Sequence, residues 1–115
     1  MTYNEVSSAR VYRLLHRRKG FSGKQMFGGF GYLLNGNMCC GVWKDYLILR
    51  IGPDAYAEML TKPHIKKFDI TGKEMRGWVM VEPEGFVDDA DLRRFVGQAV
   101  TFTKSLPTKV STEAK

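Results

Sequence analysis

The sequence lacks the long apolar run that a membrane-spanning helix requires. No stretch of the 115 residues approaches about 18 consecutive apolar side chains, and charges occupy the first twenty residues, where a signal peptide has its apolar segment. These absences predict a soluble, intracellular protein. Hydrophobic residues make up 43% and charged residues 26% of the chain, which is typical of one globular domain with a core that needs no disulfide.

Cysteine and histidine are scarce, which limits the available chemistry. The two cysteines, Cys39 and Cys40, are neighbours; on a strand they are expected to point to opposite faces, so we predict free thiols rather than a strained disulfide. The two histidines, His16 and His64, are isolated, so the spaced ligand pairs of a zinc site are missing. No nucleophile motif surrounds either thiol. We therefore predict no catalytic residue, no metal and no cofactor.

Acidic residues are rare in the first half of the chain, and basic residues are not. The net charge is +6, and residues 1–50 hold eight Lys or Arg against two acids, whereas residues 51–115 hold ten of each. Such an asymmetry is typical of a surface that meets nucleic acid, an anionic membrane or an acidic partner protein, but we place solubility ahead of these explanations. The candidate basic surface consists of Arg10, Arg13, Arg17, Arg18 and Lys19.

Recognition motifs for nucleic acid are also absent. The sequence has no helix-turn-helix pattern, zinc finger or single-stranded RNA signature. Binding of nucleic acid would therefore be weak, nonspecific and directed at the phosphate backbone. The glycines of residues 28–31 precede a strand rather than a helix, which argues against a phosphate-binding loop.

Local signals predict the secondary structure of the first half. A helix capped by Asn4 or Thr2 is expected to run to about Arg18, with Gly20 after it. Residues 25–52 are rich in glycine, aromatic and branched side chains and predict three or four strands of a meander, with a type I′ turn at Asn35–Gly36.

The second half is predicted to alternate between helices and strands. We expect a short helix over residues 55–60, strands over 65–70 and 77–82, and a turn over 71–73. Apolar residues from Leu92 to Leu106 recur at spacings of three and four, with acids before them and Lys104 near the end, and predict a long amphipathic helix. Residues 1–107 form one domain in this interpretation, and residues 108–115 a disordered tail.

The resulting order, α-β(3-4)-α-β(2)-α, predicts an α+β fold with an antiparallel sheet and helices. Two strands, residues 46–51 and 77–82, are apolar at successive positions, whereas a sheet covered on one side should alternate with polar residues. Two explanations fit equally well: a homodimer covers the second face, or one helix crosses to it.

Several segments together resemble a known family. The block Met26–Gly31, a hairpin glycine before Met38, the strand ending in Leu49–Arg50, the run from Arg76 to Gly85 and the closing Ser105–Lys109 look like the N-terminal domain of the TfoX/Sxy competence regulators. The likeness covers residues 5–109. Its motif residues are Met26, Phe27, Gly28, Gly29, Gly31, Gly36, Leu49, Arg50, Trp78, Pro83 and Gly85.

The resemblance implies a two-layer fold like that of secretion chaperones, in a small bacterial cytoplasmic protein without recognised catalytic residues. In the full-length regulators this domain precedes a helical domain and the protein assists a transcription activator. Six residues follow Lys109, so that co-activation does not transfer directly. We expect a non-enzymatic interaction module, for which a role as a transcription-related co-regulator is one option, with an unknown protein partner or a homodimer and no membrane contact. The alternatives are weak nonspecific DNA binding and a small-ligand or enzyme site near Cys39, Cys40 or His64.

Overall fold

The fold is built on a six-stranded antiparallel sheet with three helices. The computed structural model describes residues 3–26, 28–69, 72 and 75–108. The strand order is β1-β2-β3-β4-β6-β5, so β6 lies between β4 and the edge strand β5. In chain order the elements are α1 (Glu5–Leu15), β1 (Phe21–Met26), β2 (Gly29–Leu34), β3 (Asn37–Trp43), β4 (Tyr46–Arg50), α2 (Pro53–Met59), β5 (Ile65–Lys67), β6 (Trp78–Val81) and α3 (Asp89–Lys104). The predicted α+β class and the α-β-α-β-α order are confirmed.

Helix α1 begins as predicted and ends early. The side chain of Asn4 accepts hydrogen bonds from the backbone N–H groups of Val6 and Ser7, which satisfies two free donors of the first turn. The helix ends at Leu15 rather than at Arg18, and the chain then turns to Gly20, which has a φ of +82°. The basic residues after Leu15 therefore lie in a loop rather than on a helix.

The hairpin between β2 and β3 confirms the predicted turn. Asn35 and Gly36 have φ values of +54° and +81°, the left-handed pair that a type I′ turn requires. Strand β1 begins at Phe21, earlier than the predicted start at residue 25. Its residues 22–25 are exposed because β1 is an edge strand that pairs only with β2 among the described residues, and such a strand gives a weak apolar signal.

The two cysteines do not point to opposite faces, which corrects the prediction. The pairing of β2 with β3 shifts register between Tyr32 and Leu33, which leaves Cys39 as an extra residue in β3. Because of this bulge, Cys39 and Cys40 are both fully buried in the main core. Both are free thiols, as predicted.

All three helices pack on the same side of the sheet. The main core combines Leu15 of α1, Met59 of α2 and Ala99 of α3 with sheet residues such as Leu49 and Val79. The expected alternative in which one helix crosses to the other face is therefore wrong for the described residues.

Smaller differences concern the boundaries of elements. Helix α2 starts at Pro53, whose fixed φ suits a first helical turn. Strand β5 ends at Lys67 rather than residue 70, and Asp88 precedes α3 without a capping hydrogen bond from its side chain. Two further predictions, the turn over 71–73 and the disordered tail over 108–115, lie outside the described residues except for residues 72 and 108. Within the described part of the chain, none of the helices has the length and apolar character needed to cross a bilayer.

Candidate functional site

A second, smaller hydrophobic cluster lies on the side of the sheet opposite the helices, which we call the second face. Ile48 and Met80, paired across β4 and β6, form its centre with Phe68. Phe68 follows β5, and its ring stacks with that of Trp78. The second face thus covers part of its apolar surface with its own side chains. Three part-buried aromatic residues surround the centre: Trp43, Tyr46 and Trp78.

The second face also holds an apolar groove of about 310 Å³, which we call the groove. Gly29, Gly41 and Ile48 contribute to its base. None of the described lining residues is charged. A volume of this size is at the lower end of the range for small-ligand sites, and it also accommodates side chains of a partner. The side chains that form the walls are Met26, Met38, Trp43, Phe68, Met75 and Trp78.

Two glycines leave space for the side chain of Met38 at the base of the groove. Gly31 and Gly41 are paired across β2 and β3. A Cβ atom at Gly31 would lie 2.5 Å from Met38 Cε, and one at Gly41 would lie 2.6 Å from the carbonyl oxygen of Phe30. The thioether of Met38 therefore rests on bare backbone. Because methionine is flexible and polarisable, such a surface can adapt to the shape of what it binds.

Four cations surround the groove, which we call the basic rim: Lys24, Lys44, Arg50 and Lys66. Lys44 Nζ lies 4.7 Å from the ring centre of Trp43, and Arg50 Cζ lies 5.3 Å from that of Trp78. Lys66 Nζ lies 5.7 Å from the ring centre of Tyr46. Lys24 is exposed on β1, two residues before Met26 and so on the same side of the strand.

The basic surface predicted for α1 is divided in the structure. Arg10 Nη2 donates hydrogen bonds to Asp89 Oδ1 at 3.0 Å and to the carbonyl oxygen of Val87 at 3.1 Å. Its guanidinium also lies 5.8 Å from the ring centre of Phe86. Arg10 therefore joins α1 to the start of α3, and the exposed basic residues of this region are Arg13, Arg17, Arg18 and Lys19.

The two thiols lie in the core rather than at a reactive surface. A hydrogen bond from Cys40 lowers the pKa of Cys39, whereas the same bond, together with burial, raises the pKa of Cys40 well above its usual range. His16 stacks on Tyr12, and His64 lies beside Glu82. Within the described chain, neither imidazole is hydrogen-bonded to a thiol. This arrangement offers no activated nucleophile.

A polar cluster at the end of β6 was not anticipated from the sequence. His64, Glu82 and Glu84 each have a ligand atom within 4.8 Å of the others, so they are the described residues that can approach a metal ion together. Glu82 already pairs with His64 Nδ1 and with Lys66 Nζ, each at 3.5 Å. The cluster is open to solvent, and the ammonium group of Lys66 competes with a cation for the carboxylate of Glu82.

The family model described as the TfoX N-terminal domain matches residues 13–103. The chain belongs to this family. Comparisons with curated proteins and with solved structures gave no match. Membership in the TfoX N-terminal domain family makes the chain a competence-regulator-like module, in a family that is not known for enzymes.

The glycines of the TfoX motif lie where the backbone turns or where strands approach closely. Gly28 has a φ of +76°, and a Cβ atom at Gly29 would lie 2.3 Å from the carbonyl oxygen of Val42. Gly36 occupies the type I′ turn, and Gly85 packs against Val81 after β6. These positions favour glycine because the chain turns or strands approach closely there. Phe27 lies outside the described residues.

The other TfoX motif residues are divided between the core and the groove. Leu49 is fully buried under the helices, and Pro83 begins a short 3-10 turn after β6. Met26 and Trp78 line the groove, and Arg50 belongs to the basic rim. With Gly29 in its base, the groove therefore brings together four motif residues.

Sequence reasoning missed the groove itself. Its components come from β1, β2, β3, β4, β6 and the segment that follows β5, and no local pattern shows that these meet. The available signal was the apolar character of both sides of β4 and β6, which indicated a second buried face. That signal did not identify Met38 or Met75, which are separated in sequence from those strands.

Proposed function

We propose that the chain is a non-enzymatic interaction module that acts through protein contacts in transcription-related regulation. The observation that carries the proposal is the apolar groove on the second face, which no described helix covers. Apolar surface of this kind on a chain with 26% charged residues is typical of a contact site. Membership in the TfoX N-terminal domain family supports a regulatory setting.

The side chains with reactive potential support a non-enzymatic role. Cys39 and Cys40 are buried away from both histidines. The groove lacks convergent polar groups, since its described lining is uncharged and mainly apolar. A catalytic site needs such groups to position a substrate and move protons. Contact with a second copy of the chain or with another protein requires only the apolar surface.

Site-specific photo-crosslinking tests this function. A photoreactive amino acid replaces Met75, which lines the groove and is 37% exposed. The matched control places it at Thr101, which is exposed on α3. In living cells that express each variant, we expect a discrete protein adduct from position 75 and none from position 101. An adduct of twice the chain mass identifies a homodimer, and another mass identifies a different partner. The absence of any adduct specific to position 75 would contradict the proposal.

A second candidate function, weak nonspecific DNA binding, is supported by the cluster of exposed cations after α1. Arg13, Arg17, Arg18 and Lys19 are all exposed within seven residues. In a gel-shift assay at low salt, replacement of Arg13, Arg17 and Arg18 with Ala should abolish the shift, because backbone contacts depend on charge. The control removes Lys24, Lys62 and Lys104 and should retain it. Equal loss in both variants, or no shift from the unaltered chain, would eliminate this candidate.

A further inference from the structure

The charge around the groove restricts what can bind there. Three members of the basic rim, Lys44, Arg50 and Lys66, are each held over an aromatic ring that lies on the second face. Lys24 adds a fourth cation on the side of β1 that carries Met26. An apolar floor with cations around it is complementary to an apolar ligand that bears negative charges at its margins.

Carboxylates near the groove only partly offset this charge. Glu82 pairs with Lys66 and His64, and so reduces the contribution of Lys66. Asp45 lies in the same turn as Lys44; its carboxylate accepts a hydrogen bond from Asn4 Nδ2 at the start of α1, keeps its negative charge and offsets part of the charge of Lys44. Asp69 is exposed after Phe68. Lys24, Lys44 and Arg50 have no described ion-pair partner, and the guanidinium of Arg50 also donates a hydrogen bond to the carbonyl oxygen of Met38 and lies 5.8 Å from the ring centre of Phe102. The four cations outnumber these three carboxylates, so the rim retains net positive charge.

This charge disfavours a second copy of the chain on the second face. Two copies packed with these faces together would bring one basic rim against the other. Like charges held close together in an interface oppose association and suppress incorrect partners. The overall charge of +6 adds to this repulsion. The charge distribution therefore favours an acidic partner over a homodimer at this site.

The position of the groove on a sheet face also restricts the partner's backbone. An extended peptide laid on a face cannot form ladder hydrogen bonds, and its N–H and C=O groups would contact the apolar groove without partners. A helix satisfies its own backbone groups and presents an apolar stripe. From β1, which carries Lys24, to β5, which carries Lys66, the sheet has five interstrand spacings, or about 24 Å. A helix of about 16 residues spans that width.

We propose that the groove binds an amphipathic helix of a partner protein, with an apolar stripe on the groove and carboxylates along its flanks that meet the basic rim. This proposal rests on the proposed function and specifies the chemistry of the partner. Apolar side chains of the helix fill the space between Met38 and Met75, and Glu or Asp residues pair with Lys24, Lys44 and Arg50. One small carboxylate would meet only one of these cations, because they lie on separate sides of the groove.

The test uses two synthetic 18-residue helical peptides that lack tryptophan. Both carry the same leucine stripe; the flanking positions are Glu in one and Lys in the other. The chain has two tryptophans, Trp43 and Trp78, and both line the groove, so intrinsic fluorescence reports binding there. We expect the Glu peptide to shift the emission and to bind at least about tenfold more tightly than the Lys peptide at low salt. The difference should shrink as salt is added.

Charge-reversal variants identify the cations involved. Lys24→Glu with Lys44→Glu removes charge from the basic rim, and Arg13→Glu with Arg17→Glu makes the same change in net charge on the helix side. Circular dichroism and thermal unfolding verify that both variants fold. We expect the first variant to lose at least about tenfold in affinity for the Glu peptide and the second to change little. Equal loss in both variants would overturn the role of the rim.

Other outcomes separate this inference from the proposed function. Equal binding of the two peptides, or binding of neither, overturns the acidic helix. A shift in tryptophan emission with decanoate but not with the Glu peptide assigns the groove to a small amphiphile instead. If the peptides fail while crosslinking from position 75 still yields an adduct, the interaction module stands and its partner has different chemistry. If both experiments fail, both proposals fall.

Discussion

The two faces of the sheet differ in how completely their side chains are buried. On the side covered by the helices, Leu47, Leu49, Val79 and Val81 are fully buried in one continuous core. On the second face, the buried centre consists of Ile48, Phe68 and Met80, and the surrounding aromatic residues are only part-buried. The same strands supply both sets, because alternate residues point in opposite directions. One face is therefore completely packed on folding, whereas the other keeps part-exposed apolar surface.

The side chains differ in kind as well as in burial. The helix-covered face uses Leu and Val at the centre of β4 and β6, whose few rotamers suit one fixed packing arrangement. The second face uses methionine at four positions. Methionine has more rotatable bonds and specifies a single arrangement less strongly. An adaptable surface is therefore expected where the chain meets a partner rather than itself. These methionines are Met26, Met38, Met75 and Met80.

The largest effect should come from truncation on the helix-covered face. Leu49→Ala removes a fully buried side chain and leaves a cavity, so we expect a loss of about 3 kcal/mol in the free energy of unfolding. Met38→Ala on the second face should cost about 1 kcal/mol or less, because that side chain is part-exposed. Urea titration measures both through the midpoint and slope. Similar losses at the two sites would show that the faces are equally important for folding.

A smaller effect should follow from filling the floor of the groove. Gly41→Ala places a methyl group against the backbone carbonyl of Phe30, which cannot move freely, so we expect a loss of about 1–3 kcal/mol. Gly31→Ala meets the flexible end of Met38 and should cost less than about 1 kcal/mol.

Gly97→Ala serves as the control for these glycine substitutions. A Cβ atom there meets nothing within 4 Å, and Gly97 lies in α3, so alanine should stabilise the helix by about 0.5–1 kcal/mol. Thermal unfolding ranks the three variants. If Gly41→Ala were as well tolerated as Gly31→Ala, the floor would be more mobile than the close strand pairing indicates.

The smallest effect concerns how the free energy of unfolding changes at alkaline pH, to which Tyr32 on the helix-covered face contributes. Tyr32 donates a hydrogen bond to the carbonyl oxygen of Ser8 and accepts one from the Ser8 hydroxyl. Burial raises the pKa of Tyr32 above its ordinary value of 10.0, and the hydrogen bond with Ser8 partly offsets this. Above pH 10 the unfolded chain therefore loses a proton that the folded chain keeps, and stability falls as pH rises.

Tyr32→Phe should remove this part of the alkaline fall and cost about 1 kcal/mol at neutral pH for the lost hydrogen bonds. The difference in unfolding free energy between the two chains from pH 8 to 11 isolates Tyr32, because the other tyrosines are common to both. A constant difference over that range would mean that Tyr32 ionises in the folded chain as it does in the unfolded chain.

Local signals predicted the elements well because the physics behind them is local. Asn4 caps α1 and Asn35–Gly36 forms its turn through interactions within a few residues. The three- and four-residue spacing predicted α3 because one side of that helix is buried. The edge strand β1 was missed at its start, since Ser22 and Lys24 face solvent and carry no apolar alternation.

The spatial arrangement of the elements was harder to predict from the sequence than the elements themselves. The insertion of β6 between β4 and β5 depends on pairings between residues far apart, such as Leu47 with Val81. The groove depends on that order, because Trp78 reaches it only through β6. The hydrogen bond from Arg10 to Asp89 likewise joins two helices that are far apart in the sequence. It removes one residue from the predicted basic surface. Helical spacing alone cannot reveal such partners.

The extra residue in β3 has a further consequence for changes in chain length. With strict alternation from Met38 onward, Gly41 would face the helices, and Cys40 and Val42 would face the groove. The bulge at Cys39 shifts the alternation by one residue, so that Cys40 and Val42 face the helices and Gly41 faces the groove. A one-residue deletion at Cys39 would therefore leave every later side chain of β3 on its present side. A deletion at Val42 would move Trp43 into the core, so tolerance to deletion should differ sharply between positions three residues apart.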